Sequence, residues 1–289
     1  MFRATAPVRR THPAGPAALP RLVRAAAYAP PGPGGPYRPQ DAREREEFYA
    51  ELGAPYGLSF DRDQFAAAGR RTSAQLADGA LDALGPLTAE DAPQLAVIAY
   101  AAPDFEHSEL VASCVKRRLP GGPLAFAVSD QGRLAPFSAL RAGVEYARRC
   151  GWTRLLLLAV DQGTQPFPLP AEPSPDAVRG DAAVALLLRW DGGDRPLGGL
   201  TQGRPEPALF AAWPDGAALA AGSGLADCPG LPPHHGPAVR AHSGRPATGS
   251  WSALLAVDGG DRPVVVADYD RQRDFLAYCT LHTGELRHG

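Results

Sequence analysis

Apolar and polar positions alternate along this chain in well-separated blocks. The clearest block covers residues 124–160, LAFAVSDQGRLAPFSALRAGVEYARRCGWTRLLLLAV. Its ends, 124–128 and 154–160, are short continuous apolar runs, the pattern of strands buried on both faces. Between them Pro136 opens a segment in which Phe137, Leu140, Val144 and Ala147 form one stripe, and Gly151 closes it. The block therefore predicts a buried strand, a tight turn, an amphipathic helix and a second buried strand.

Upstream, residues 22–28 predict a first strand, 41–52 a charged helix and 53–59 a loop. Thr72 and Ser73 can cap a helix through residue 84, with Leu76, Ala80, Leu81 and Leu84 on one face and Gly85-Pro86 as its stop. Residues 94–101 (QLAVIAYA) predict another buried strand, 108–119 a helix ended by Pro120-Gly121-Gly122, and 180–188 (GDAAVALLL) a strand opened by a glycine turn. The last third is less regular. It predicts strands at 197–202, 263–268 and 277–281 and a helix at 248–257, with a weak signal over 208–236. Strands alternating with helices imply a parallel or mixed α/β sheet covered on both faces. A helix followed by two strands repeats the theme of 136–160, which implies an internal duplication with a reduced second half. The expected organisation is a disordered tail at 1–20, a first half at 21–190 and a second at 191–289.

Composition narrows the function classes. With 289 residues, 29 basic against 31 acidic side chains and no basic stripe carrying aromatics, nucleic acid is not an expected partner. No apolar run is long enough to span a membrane, and prolines break the N-terminal segment, which is not a secretory signal. Cys114, Cys150, Cys228 and Cys279 have neither metal-ligand nor disulfide-framework spacing, which suits a reducing, cytoplasmic setting. Lys116, the only lysine, sits at the solvated end of a predicted helix, which argues against Schiff-base chemistry.

The ordered set AVIAYAAPDFEHSELVASCVKRRLPGGPLAFAV, FSALRAGVEYARRCG, RLLLLAVD and GDAAVALLL, followed by PATGSWSALL and PVVVADYDRQRDFLAYCTL, resembles the thiolase superfamily. Within it the likeness is greatest to the β-ketoacyl-acyl-carrier-protein synthase III branch. It is good over 21–188 and patchy beyond. The resemblance implies a layered αβαβα fold from two related halves, the second shortened, and acyl-thioester chemistry. It also implies dimers that pair through residues 124–128. In the family a cysteine at a helix N-terminus attacks the thioester, while a histidine and an asparagine stabilise developing charge. At the matching turn this chain has Gln131, Gly132, Arg133 and Leu134, where the placement of one gap stays open. Ala247 stands at the asparagine's place, and no family motif surrounds a histidine. The tryptophan and arginine by which relatives grip coenzyme A are not evident over 41–69.

Ser129 and Asp130 read as a polar turn capping the next helix, since a serine nucleophile needs a base in reach. His234, His235 and His242 are the weak candidates for a base, and His234-His235 reads as surface loop between prolines and glycine. His107 follows an aromatic loop that borders the acyl tunnel in relatives. Cys114 and Cys150 read as packing residues. No cofactor or metal is called for. The resulting expectation is a catalytically inactive ketosynthase-III-like subunit of polyketide or specialised fatty-acyl metabolism, partnered with an active ketosynthase or with itself. An acyl-carrier protein is a further candidate partner; Arg117-Arg118 and Arg148-Arg149 read first as solvated faces and only alternatively as contacts for it. The alternatives are a cysteine-independent acyltransferase acting on acyl thioesters, and a binding module that senses them.

Overall fold

The computed structural model describes residues 19–32, 43–106, 109–168 and 177–284. The expected tail lies outside them apart from Leu19 and Pro20, as does His107. Five strands, β1 (Arg21–Tyr28), β2 (Leu95–Tyr100), β3 (Leu124–Val128), β4 (Arg154–Asp161) and β5 (Ala182–Arg189), form one sheet in the order β1-β5-β4-β2-β3. Five more, β6 (Gly198–Gly203), β7 (Ala218–Ala221), β8 (Ala238–Arg240), β9 (Val264–Asp270) and β10 (Phe275–Leu281), form a second in the order β6-β10-β9-β7-β8.

The two orders are the same strand for strand, and so are the directions. The outer hairpin-side pairs β1–β5, β4–β5, β6–β10 and β9–β10 are antiparallel, whereas β2–β3, β2–β4, β7–β8 and β7–β9 are parallel. The duplication expected from the repeated helix–strand–strand pattern is thus present in the topology.

Layering follows from the two-residue period of the strands. On β4, Leu155, Leu157 and Ala159 face a central core with Phe137, Leu140, Trp251, Leu254, Val264 and Val266. That core holds α5 (Ala135–Cys150) and α7 (Gly249–Ala256) between the sheets. Leu156, Leu158 and Val160 face the other way, onto Leu76 and Leu81 of α3 (Ser73–Leu84) and Val111 and Val115 of α4 (Val111–Arg118). Helix α3 starts as its sequence suggests: Thr72 and Gln75 exchange side-chain bonds with each other's backbone N–H in a capping box. On the far side of the second sheet, Val265, Ala267 and Tyr269 pack with Phe210 and Leu225.

The second half is reduced where the outer helices would lie. Its counterparts of α3 and α4 are the short α6 (Pro207–Ala211) and a 3-10 turn, Ser223–Asp227. These, with β7, β8 and α2 (Arg62–Ala67), were not resolved by the hydrophobic pattern, because three-to-six-residue elements give no period. The first charged helix, α1, spans Arg43–Gly53, and the segment after it contains a 3-10 turn, Ala54–Tyr56, rather than plain loop. One expectation is corrected: β3 is not buried on both faces. It is an edge strand, half-exposed along its length, because no strand follows it in the sheet.

Candidate functional site at the facing helix N-termini

The turn between β3 and α5 carries two left-handed residues, Asp130 (φ 63°) and Gly132 (φ 50°), and closes as a 3-10 turn, Gly132–Leu134. This winding sends Arg133 inward, where it is 2% exposed. Its Nη1 lies 3.2 and 3.3 Å from the two carboxylate oxygens of Asp268 on β9 and 3.2 Å from Ser223 Oγ. Asp268 also accepts the backbone N–H of Gly224 at 3.0 Å and of Tyr269 at 2.9 Å. Room for the pair comes from two glycines after β7. A Cβ on Gly222 would overlap the Asp268 carboxylate, and one on Gly224 would overlap the Tyr269 carbonyl and the Arg133 guanidinium. A second arginine ties the turn to the β9–β10 hairpin: Arg273 donates to the Asp130 carbonyl at 2.9 Å and to Asp270 at 2.6 Å.

The opposite helix start is held in the mirrored way. Asp161, at the end of β4, accepts the N–H of Ala247 at 3.0 Å, the N–H of Thr248 at 2.7 Å and the Thr248 hydroxyl at 2.7 Å. Each half therefore supplies a buried carboxylate that anchors the other half's central helix. Between the two helix starts the Phe137 and Trp251 rings meet at 5.0 Å. Among the described residues Trp251 and Arg133 are the largest side chains that are fully buried.

Burial pushes Asp161 up to about 6, with the Thr248 and Ala247 donors and Arg245 opposing it. Burial likewise pushes Asp268 up to about 6, against the pull of Arg133 and the backbone donors. Because the folded value of Asp161 exceeds the unfolded one, its contribution to stability is complete below about pH 4 and is lost as pH rises through about 6. Relative to Asp161→Asn, the wild type is expected to lose about 3 kcal/mol of stability between pH 4 and pH 7.5. Urea unfolding of both proteins at the two pH values measures this. The comparison cancels Asp268, which titrates in the same window, and a pH-independent difference would refute the assignment.

The residues singled out in the sequence are only partly brought together. Arg133 reaches the centre of the site. Ser129 donates to Asp130 at 2.7 Å, and both are outside it. Neither caps α5, whose start at Leu134 has no side-chain cap, so the capping expectation is corrected. Gln131 bonds Ser138, which also accepts from Gln202 at 2.9 Å. His234 and His235 line a cavity of about 530 Å³ with Trp213 and Arg262, and His234 Nε2 is 3.4 Å from the Pro237 carbonyl. His242 lines a different cavity, of about 490 Å³, beside β8. None of the three histidines contacts the turn. Cys114 and Cys150 are half-buried and Cys228 and Cys279 buried, and burial pushes the Cys228 thiol up to about 11. No cluster of three metal-ligating side chains occurs among the described residues.

Asp161, Asp268, Ser223 and Trp251 were missed as site residues. A signal for the two aspartates was present: each ends an apolar run, RLLLLAVD and PVVVAD, where an acidic residue is not expected to be buried without a partner.

Neither a protein-family model nor a curated protein sequence matches the chain. Solved structures do. A 3-oxoacyl-(acyl-carrier-protein) synthase III aligns over 92% of this chain and 100% of its own, with a TM-score of 0.58 and 14% identity. The enzyme of that name from Pseudomonas aeruginosa PAO1 aligns over 91% and 98%, at 0.57 and 16%. The priming β-ketosynthase of the R1128 polyketide biosynthetic pathway aligns over 91% and 95%, at 0.53 and 14%. At these identities the likeness concerns the fold alone: this chain has the thiolase-like fold of the 3-oxoacyl-(acyl-carrier-protein) synthase III structures.

Proposed function

We propose that the chain is a β-ketoacyl synthase III-like subunit of polyketide or specialised fatty-acyl biosynthesis that does no chemistry alone and partners an active ketosynthase. The observation that carries this reading is the Arg133–Asp268 ion pair, which lies in the turn where the resemblance leaves Gln131, Gly132, Arg133 or Leu134 at the nucleophile's place. A guanidinium bonded to a buried carboxylate is always charged and cannot attack a thioester. The neighbouring positions offer Ala247 and Thr248 on one side and Gly222-Ser223-Gly224 on the other, with the Thr248 hydroxyl already committed to Asp161.

A role in assembly has its own support. The open edge of β3 presents Leu124, and beside it Phe126, Tyr146 and Trp152 form an aromatic row with ring separations of 6.1 and 5.8 Å. An apolar open edge of this kind is a ready partner surface. The test uses the purified full chain with acetyl-coenzyme A and malonyl-acyl-carrier protein, read by intact mass and coenzyme A release. No acyl adduct and no turnover are expected, together with co-purification of a cysteine-bearing ketosynthase on co-expression. Turnover by the chain alone would support the cysteine-independent acyltransferase instead. A stable homodimer with an open, ligand-filled tunnel would also sink the proposal.

A further inference from the structure

The second sheet ends at β8, just as the first ends at β3, but the two edges differ in chemistry. β3 is uncharged and apolar. β8 runs beside a cavity of about 490 Å³ floored by Gly249, Ala253 and Ala256 of α7 and rimmed by Arg240, His242 and Arg245. No carboxylate lines it. Arg179 lies close by, its backbone N–H donating to Gly244 at 2.9 Å and its side chain lying against that glycine.

The arginines of this rim lack the ion pairs that a number of other arginines in the chain make. Arg21, Arg24, Arg62, Arg118 and Arg195 each lie within ion-pair distance of a carboxylate. Arg179, Arg240 and Arg245 make no ion pair among the described residues. The acidic group that Arg245 does feel, Asp161, is wholly buried and bonded to the start of α7. Unpaired cations around an apolar floor attract an anionic occupant. The open strand edge says what form it takes. Among the described residues β8 is hydrogen-bonded to β7 alone, so a further strand about 4.8 Å away on its other side would meet backbone groups that no described strand pairs, and would lie over the small residues of α7. A second copy's β8 would bring a second set of arginines to the same edge, and this like-charge crowding disfavours self-pairing there.

We infer that the β8–α7 groove is a docking site for an extended acidic segment of a partner protein, added to the second sheet as its sixth strand. Backbone bonds to β8 supply affinity, alternate acidic side chains meet Arg240 and Arg245, and the intervening small apolar ones seat on Gly249 and Ala253. This site is independent of the proposed function and stands or falls without it.

The probe is a fluorescein-labelled heptapeptide alternating glutamate and valine, titrated with the full chain by anisotropy. Saturable binding is expected, weakened by added salt. Arg240→Glu with Arg245→Glu is expected to weaken it at least about tenfold. Ala256→Trp, which fills the groove without changing charge, is expected to weaken it comparably, with thermal melts confirming that both variants fold. A peptide of the same charge with backbone N-methylation at alternate residues is expected to bind poorly. Absence of binding up to about 1 mM overturns the inference. So does equal binding of the N-methylated peptide, which would reduce the groove to a charge patch, or binding unaffected by either variant.

Discussion

Arg133→Ala is expected to destabilise the protein by about 3–5 kcal/mol at pH 8, because it leaves the Asp268 carboxylate buried without its counter-charge. The mechanism sets a pH signature. Burial already pushes Asp268 up to about 6, with Arg133 opposing the rise, so removing Arg133 raises it further. At pH 5 the variant's Asp268 takes up a proton and much of the penalty disappears. A double variant, Arg133→Met with Asp268→Asn, is expected to recover most of the loss, because the amide oxygen can still accept the Gly224 and Tyr269 N–H groups. Urea unfolding of the wild type, Arg133→Met, Asp268→Asn and the double forms a thermodynamic cycle. A loss below about 1 kcal/mol at pH 8, or a double variant as unstable as Arg133→Ala, would remove the ion pair from its place at the centre of the site.

Trp251→Ala is expected to cost a similar amount, about 3–5 kcal/mol, for a different reason. Trp251 is wholly buried against Phe137, and its indole N–H has no hydrogen-bond partner among the described residues, so the loss is one of packing and cavity formation. Trp251→Phe, which keeps an aromatic ring against Phe137, is expected to lose less than half as much, and the penalty should show no pH dependence between 5 and 8. Opening this space also probes function. Acyl transfer gained by Trp251→Ala would mean that competent groups were present and merely blocked, contrary to the proposal. Stability loss without turnover is the expected pair of results.

The sequence made the alternation of strands and helices legible because strands such as 154–160 are buried on both faces and helices such as 73–84 carry a clean apolar stripe. It also made the duplication legible, through the repeat of helix, strand and strand. It did not reveal α6, β7 or β8, whose few residues are positioned by their neighbours in the sheet. The site was legible as a turn, and its occupant was not. Arg133 was one of four polar residues in the turn, and only the three-dimensional pairing with β9 separates a solvated arginine from a buried one. Likewise Ser129 and Asp130 suggested a cap, but their side chains bond each other, and the helix start has no side-chain cap among the described residues.

The crossed anchoring of the two central helices bears on how the molecule assembles. Arg133 and Asp268 are 135 positions apart along the chain, and Asp161 and Thr248 are 87 apart. Contacts with such separations require large loops to close before they give any return, so they form late. Each half can collapse around its own sheet, but neither can finish the first turn of its partner's helix until both are in place. The anchors thus act as the closing step of folding, and weakening them should speed unfolding much more than it slows refolding.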